Sequence, residues 1–156
     1  MRVALYQPDI PQNAGTIMRL CACMGVSLDI IEPCGFVLDE KKLRRAAMDY
    51  IDHLDLTRYK DWDNFVSEKP TGRLVLLTTK AKQGYHAFDF RKDDTLLLGR
   101  ESVGVPENVH KSVDERIIIP MRPEIRSLNV AVSTAMVLGE ALRQTQGLDA
   151  LASQLS

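Results

Sequence analysis

Short runs of branched apolar residues alternate along this chain with longer stretches whose apolar positions recur every three or four residues. "RVALY", Arg2 to Tyr6, predicts a strand. "NAGTIMRLCACM" after it predicts a helix capped by Asn13 and stopped by Gly25, since a short polar side chain satisfies free amides at a helix start and glycine accepts the left-handed turn at its end. "SLDIIE" is the next strand, and two strands joined by one helix over so few residues should be parallel, with a right-handed crossover. A helix around "EKKLRRAAM", a weak strand near "DHLDL" and a short helix in "DWDNFVSEK" follow. "RLVLLTT", "TLLLG" and "RIIIP" predict three further strands, all rich in the branched aliphatics of strands covered on both faces. A final helix is expected from about Ser127 to Gln146, with "LDALASQLS" extending it or fraying. With no repeat, low-complexity segment or linker, the pattern predicts one α/β domain over residues 1–156 around a mostly parallel sheet.

One junction does not fit a plain fold. Between the buried strand ending at Ile119 and the apolar last helix stand two arginines, Ser127 and Asn129, more polar groups than a single cap requires.

A chain of 156 residues buries roughly two thirds of the surface its unfolded form exposes, so neither disulfide nor metal is needed to hold it. No run approaches the roughly 20 apolar residues that span a bilayer, and the first residues lack the layout of a signal peptide, so a cytoplasmic protein without membrane contact is expected. The odd count of three cysteines agrees with a reducing compartment. Cys21 and Cys23 point to different sides of their helix and read as packing residues, and His53, His86 and His110 show no ligand spacing, so no metal is expected. A net charge of −1 excludes a surface that is basic throughout. A local patch remains open: "KKLRR" at Lys41 to Arg45 is a solvated face or a contact, and Arg19, Arg100, Arg122 and Arg126 lie in or beside loops.

Parallel sheets bind ligands outside the carboxyl ends of their strands, so chemistry is sought in the loops that follow them. Three stand out: "NAGTIMR", "GRESVGVP" and "PMRPEIRSLN". "GRESVG" is not a dinucleotide loop, because Glu101 holds the place of the glycine that lets a pyrophosphate approach, and the chain has no Gly-Lys-Ser/Thr. Such a loop suits a ligand that presents hydroxyl, amine or sulfonium groups. Alone it would read as a plain turn.

Together the three loops carry more. Asn13, Gly15 and Arg19 in the first, Gly99, Glu101 and Gly104 in the second, and Pro120 with Ser127, Leu128 and Asn129 in the third resemble, in order, the three motifs of the SPOUT-class (SpoU-type) RNA 2′-O-methyltransferases. The "IPQNAGTIMRLCA", "IIEPCGF" and "KKLRRAAMDY" stretches are similar to those of the bacterial tRNA enzymes of this class that methylate the wobble ribose. That resemblance implies a deep trefoil knot over about residues 75–146 of the α/β domain. It implies S-adenosylmethionine as cofactor, lined by Leu77, Gly99, Ile119 and Ser127 largely through backbone groups, and a homodimer whose sites are completed by the second subunit. It further implies a tRNA anticodon loop as substrate, with leucine tRNAs the expected acceptors of the methyl group on cytidine or uridine. Arg19, Asn129, Glu101 and Asn13 are the catalytic candidates. Ser127 either caps the last helix or bonds the cofactor, while Asn129 orients ribose or loop. Glu101, expected beside arginines that keep it ionised, is a loop clamp or a catalytic residue, and Asn13 is a cap or a substrate contact. Arg100 stands where related sequences often have proline, and either meets RNA phosphate or is solvated. Ribosomal RNA methylation, an inactive RNA- or ligand-binding module of the same fold, and a nucleotide-binding or flavodoxin-like domain are the other readings.

Overall fold

The computed structural model describes residues 1–155, and for Glu40, Leu43 and residues 46–49 only the backbone. Seven strands build one sheet: β1 (Arg2–Tyr6), β2 (Ser27–Ile31), β3 (Leu56–Tyr59), β4 (Leu74–Leu77), the two-residue β5 (Gln83–Gly84), β6 (Thr95–Leu98) and β7 (Glu115–Ile118). Their spatial order is β3-β2-β1-β6-β4-β7-β5, and every ladder is parallel. Helices α1 (Pro11–Met24), α2 (Glu40–Ala47), α3 (Trp62–Glu68), α4 (Glu107–Ser112), α5 (Val130–Gln144) and α6 (Gly147–Ala152) flank it.

Alternation along the strands builds two cores. Val3 and Leu5 of β1, Val75 of β4, and Leu96 and Leu98 of β6 join Ile17, Met18 and Cys21 of α1 and Val137, Leu138 and Ala141 of α5. On the opposite face Ala4 and Tyr6, Leu74 and Leu76, and Leu97 pack with Phe65 of α3 and Val109 of α4. Both faces of the central strands are therefore apolar, which accounts for runs such as Leu96-Leu97-Leu98. Two buried carboxylates are paired, not orphaned: Asp29 receives Arg2 at 2.6 Å, and Asp94 receives Arg73 at 2.8 Å.

Several expectations need correction. Asn13 is not the cap of α1, because Pro11, whose missing N–H costs nothing in a first turn, starts the helix earlier with Ile10 at the cap position. Gly25 does end α1 in the left-handed conformation, at φ 61°. The strand expected at "DHLDL" lies later, at Leu56–Tyr59, since a 3-10 helix occupies Met48–His53. The last helix does not run from Ser127 to Gln146: it starts at Val130 under the cap Asn129, and Gln146, at φ 61°, breaks the chain into α6. β5 and α4 are additions that the sequence pattern did not predict.

Candidate active site

β6, β4 and β7 are neighbours in the sheet, so the loops leaving Leu98, Leu77 and Ile118 open on one edge. These loops and the entry to α5 enclose a cavity of about 400 Å³, within the roughly 300–1,000 Å³ usual for small-molecule and cofactor sites. Leu77, Gly99, Ile119 and Ser127 all line it. Leu76, Leu98, Ile119 and Val130 give it an apolar side, and Glu101 stands in its wall. The second loop closes on itself: Arg100 and Gly104 exchange backbone hydrogen bonds of 3.1 and 2.8 Å, and Gly104 is left-handed at φ 70°. A Cβ on Gly99 would stand 2.8 Å from the Gly104 carbonyl carbon, so glycine is required here by the turn itself, before any ligand arrives.

A chain of side-chain bonds ties the three motif segments together. Asn129 Oδ1 accepts the amides of Ala131 and Val132 at 2.9 and 3.2 Å, the signature of an N-cap. Its Nδ2 donates to Asn13 Oδ1 at 2.8 Å, and Asn13 Nδ2 donates in turn to Glu101 Oε1 at 3.4 Å. Glu101 Oε2 accepts the Asp9 amide at 3.1 Å. The polar surplus at the entry to α5 thus divides its work: Asn129 caps the helix and reaches the first loop, and Ser127 is left on the cavity lining.

Glu101 departs from expectation. It is not kept ionised by arginines; burial and the adjacent Asp9 carboxyl push its pKa up, against the pull of the Asp9 and Asn13 donors. Asp9 moves the other way, held at about 2 by its bond to Glu101, the Ser102 hydroxyl and the charge of Arg100. Of these two neighbouring carboxyls Asp9 is the first to ionise as pH rises.

The model of the SpoU rRNA Methylase family matches residues 1–139. The chain belongs to that family. Among relatives of this SpoU chain, the tRNA (cytidine(34)-2′-O)-methyltransferase of Beijerinckia indica is 60% identical over 148 residues, which cover 94% of this chain and 92% of that protein. The protein of the same name in Escherichia coli K12 is 40% identical over 146 residues, 92% and 93% of the two chains. A structure described under the 2-OH methylation of C/U34 on tRNA superposes with a TM-score of 0.86 at 40% identity, covering 92% of this chain and 94% of that one. The SpoU methyltransferase AviRb of Streptomyces viridochromogenes, with AdoMet bound, gives a TM-score of 0.80 at 25% identity over 92% of this chain and 60% of its own.

In this SpoU chain the structure brings Asn13, Glu101 and Asn129 together, but not Arg19. Arg19 is exposed on α1, about 120° around the helix from Asn13, with its guanidinium 4.8 Å over the ring of Tyr50 and outside the cavity lining. His110, expected as a packing or surface residue, lines the cavity from α4. No sequence signal marked it, because α4 itself was not foreseen.

The cavity fits S-adenosylmethionine in kind. Among the described residues, the buried side-chain nitrogens without a hydrogen bond are Arg100 Nε and His110 Nε2, and both residues belong to this lining. Unpaired buried polar groups are costly in a folded chain. A ligand rich in acceptors, with carboxylate, hydroxyls and ring nitrogens, suits such surroundings. No group of three His, Cys, Asp or Glu among the described residues is placed to hold a metal.

Proposed function

We propose that this protein methylates the ribose 2′-hydroxyl of the wobble nucleotide, cytidine or uridine, in the anticodon loop of tRNA, leucine tRNAs among its substrates. The observation that carries this reading is the cavity at three strand ends. It is built from the loops after β4, β6 and β7, the second and third motif segments among them, lacks a phosphate cradle, and is tied through the Glu101–Asn13–Asn129 bonds to the start of α5. The names of the close relatives point to the same nucleotide.

Bound in the cavity, S-adenosylmethionine supplies a methyl group made electrophilic by its sulfonium. Leu77, Gly99 and Ile119 hold it through backbone groups at the strand ends, and Ser127 adds a hydroxyl. Asn13 and Asn129, each both donor and acceptor, fix the ribose and the loops around it. Arg19 cannot take the ribose proton, because a guanidinium already holds its proton throughout the physiological pH range. It grips a substrate phosphate with its fork, holds the hydroxyl in line and stabilises the forming alkoxide, leaving the proton to a phosphate oxygen or water. Since it lies outside the cavity lining of its own chain, Arg19 works here from a second subunit.

The homodimer of this reading uses the stripe of α5 that the chain leaves uncovered: Val132, Ala135 and Met136 are exposed, with Leu128 and Ile125 beside them in sequence. A cytoplasmic setting and a trefoil knot over about residues 75–146 belong to the same reading. Among the described residues no helix is long and apolar enough to cross a membrane. The strand order β6-β4-β7, in which β6 enters between β1 and β4, is compatible with a threaded C-terminal part.

The test is ribose-methylation mapping of total RNA from cells with and without the gene, paired with calorimetry on the purified protein. A 2′-O-methyl mark lost at the tRNA wobble position and tight binding of S-adenosylmethionine are expected. A mark lost only from ribosomal RNA would reassign the substrate. Tight binding of NAD or ATP with no response to the methyl donor would overturn the reading altogether.

A further inference from the structure

Asp9 belongs to none of the three motifs, yet its carboxylate reaches three consecutive residues of the loop after β6. It accepts the Glu101 amide at 3.1 Å and the Ser102 hydroxyl, and its Oδ2 lies 3.8 Å from Arg100 Nε. The Asp9 amide donates back to Glu101 Oε2 at 3.1 Å, so two loops 92 residues apart in sequence are joined by a reciprocal pair. A third loop closes over the junction. Gly35 donates its amide to the Pro8 carbonyl at 2.9 Å, and a Cβ on Gly35 would stand 2.6 Å from Asp9 Cβ, so no side chain fits there.

We propose that Asp9 is a positioning residue for methyl transfer: its ionised carboxylate fixes the Arg100–Ser102 wall of the cofactor cavity and, through Glu101, the Asn13–Asn129 bond at the head of α5. This role rests on the methyl-transfer reading above. Arg100, Glu101 and Ser102 all line the cavity, so a shift of their backbone changes its shape directly. Glu101 is bonded at once to Asp9 and to Asn13, so it passes that shift to the residues assigned to the ribose.

The charge on Asp9 matters as well as its shape. Burial and the neighbouring Asp9 carboxyl both raise the Glu101 pKa, so removing that charge lets Glu101 ionise at lower pH. The other groups facing Glu101 are Arg100 in its own loop, the uncharged Asn13 on α1, and Cys34 after β2, whose thiol burial pushes up to about 11. Lys80, His110 and Arg126 line the same cavity as Glu101. The other groups are the same in the wild type and in Asp9→Asn, so the difference between their acid limbs reports on Asp9.

The experiment titrates S-adenosylmethionine calorimetrically into the full-length wild type, Asp9→Asn, Asp9→Glu and Ser102→Ala, and records turnover on tRNA from acid to neutral pH. Asp9→Asn should weaken cofactor binding about tenfold, the scale of one charge-assisted bond, and move the acid limb of turnover to lower pH. Asp9→Glu should recover most of the affinity. Ser102→Ala, at an exposed position, should fold and weaken binding a few-fold. A folded Asp9→Asn with wild-type affinity and an unmoved limb overturns the role, as does wild-type affinity in Ser102→Ala. Collapse of the Asp9→Asn fold would make Asp9 structural and overturns it too. If the wild type itself ignores S-adenosylmethionine, the methyl-transfer reading fails instead.

Discussion

At the scale of single residues, the site separates groups that hold the cavity from one that does not touch it. Asn13 takes a bond from Asn129 and gives one to Glu101, a double duty that an amide performs without adding charge beside a carboxyl pair. Arg19 has no such partners; its guanidinium rests on Tyr50 in an exposed position. A purely solvated arginine would cost little to replace, within about 0.5 kcal/mol of stability. In the proposed role Arg19→Ala should instead lower the methyl-transfer rate by about 10²–10³, the scale of losing one preorganised donor at a developing oxyanion. Arg19→Lys keeps the charge but loses the two-pronged fork, so it should resemble Arg19→Ala, while both still bind S-adenosylmethionine. Single-turnover methyl transfer beside calorimetry decides it. Near-full activity in Arg19→Lys would remove the fork from the mechanism, and in Arg19→Ala it would return the residue to the solvated surface. What the sequence made legible follows the same division. Gly99, Glu101 and Ser127 line the cavity and Asn129 caps the helix beside it; they were singled out by three motif segments in order, since each alone also reads as a turn or a cap. Asp9 was not, since its partner Glu101 is remote in sequence and nothing local marks a carboxylate as paired. The reading of Asn13 as a cap failed because Pro11 had already begun the helix.

At the scale of elements, α5 shows why pattern alone misjudges a boundary and still finds a surface. The helix is apolar almost all round, and periodicity placed its start at Ser127. The two amides caught by Asn129 Oδ1 fix the start at Val130. β3 was misplaced because Leu54 and Leu56, alternating with Asp55 where the 3-10 helix gives way to β3, imitate a strand, and β5 was missed because two residues carry no period. The buried stripe of α5, with Val137, Leu138 and Ala141, supports the chain's own sheet. Val132 at 50% and Met136 at 39% exposure lie one turn apart on the other side, an apolar stripe with no internal partner. Charges placed there meet only water in a monomer but face an apolar surface in a dimer. Val132→Glu with Met136→Glu should therefore leave the fold intact by circular dichroism and reduce the mass in light scattering to the 17.5 kDa of one chain. A wild type that already scatters as a monomer at micromolar concentration would refute the dimer, and with it the second subunit's Arg19.

At the scale of the whole molecule, a net charge of −1 is at odds with an RNA substrate until the charges are followed to their partners. Arg2, Arg58, Arg73 and Arg143 are each spent on a carboxylate within 2.8 Å, so they stabilise the fold and offer little to a polyanion. Lys80, Lys82, Arg122 and Arg126 have no ion pair among the described residues, and they sit on the loops that follow β4 and β7. The pairing of β5 with β7 draws these loops together: Gln83 stands opposite Ile117, and a Cβ on Gly84 would come within 3.3 Å of the Pro120 ring. Lys80 and Arg126 reach the cavity lining itself, which puts a local positive field at the mouth of a chain that is neutral on average. Phosphate contacts release counterions, so tRNA affinity should fall steeply with salt, log–log, with a slope of about −0.7 per phosphate for a single-stranded loop. Lys82→Ala with Arg122→Ala, both exposed and outside the lining, should weaken tRNA binding and lower that slope by about one to two. Their affinity for S-adenosylmethionine should stay at the wild-type value. A flat salt response in the wild type would mean that recognition does not run through phosphates, and an unchanged slope in the double variant would move the contact to another basic surface, such as Lys41 to Arg45 on α2.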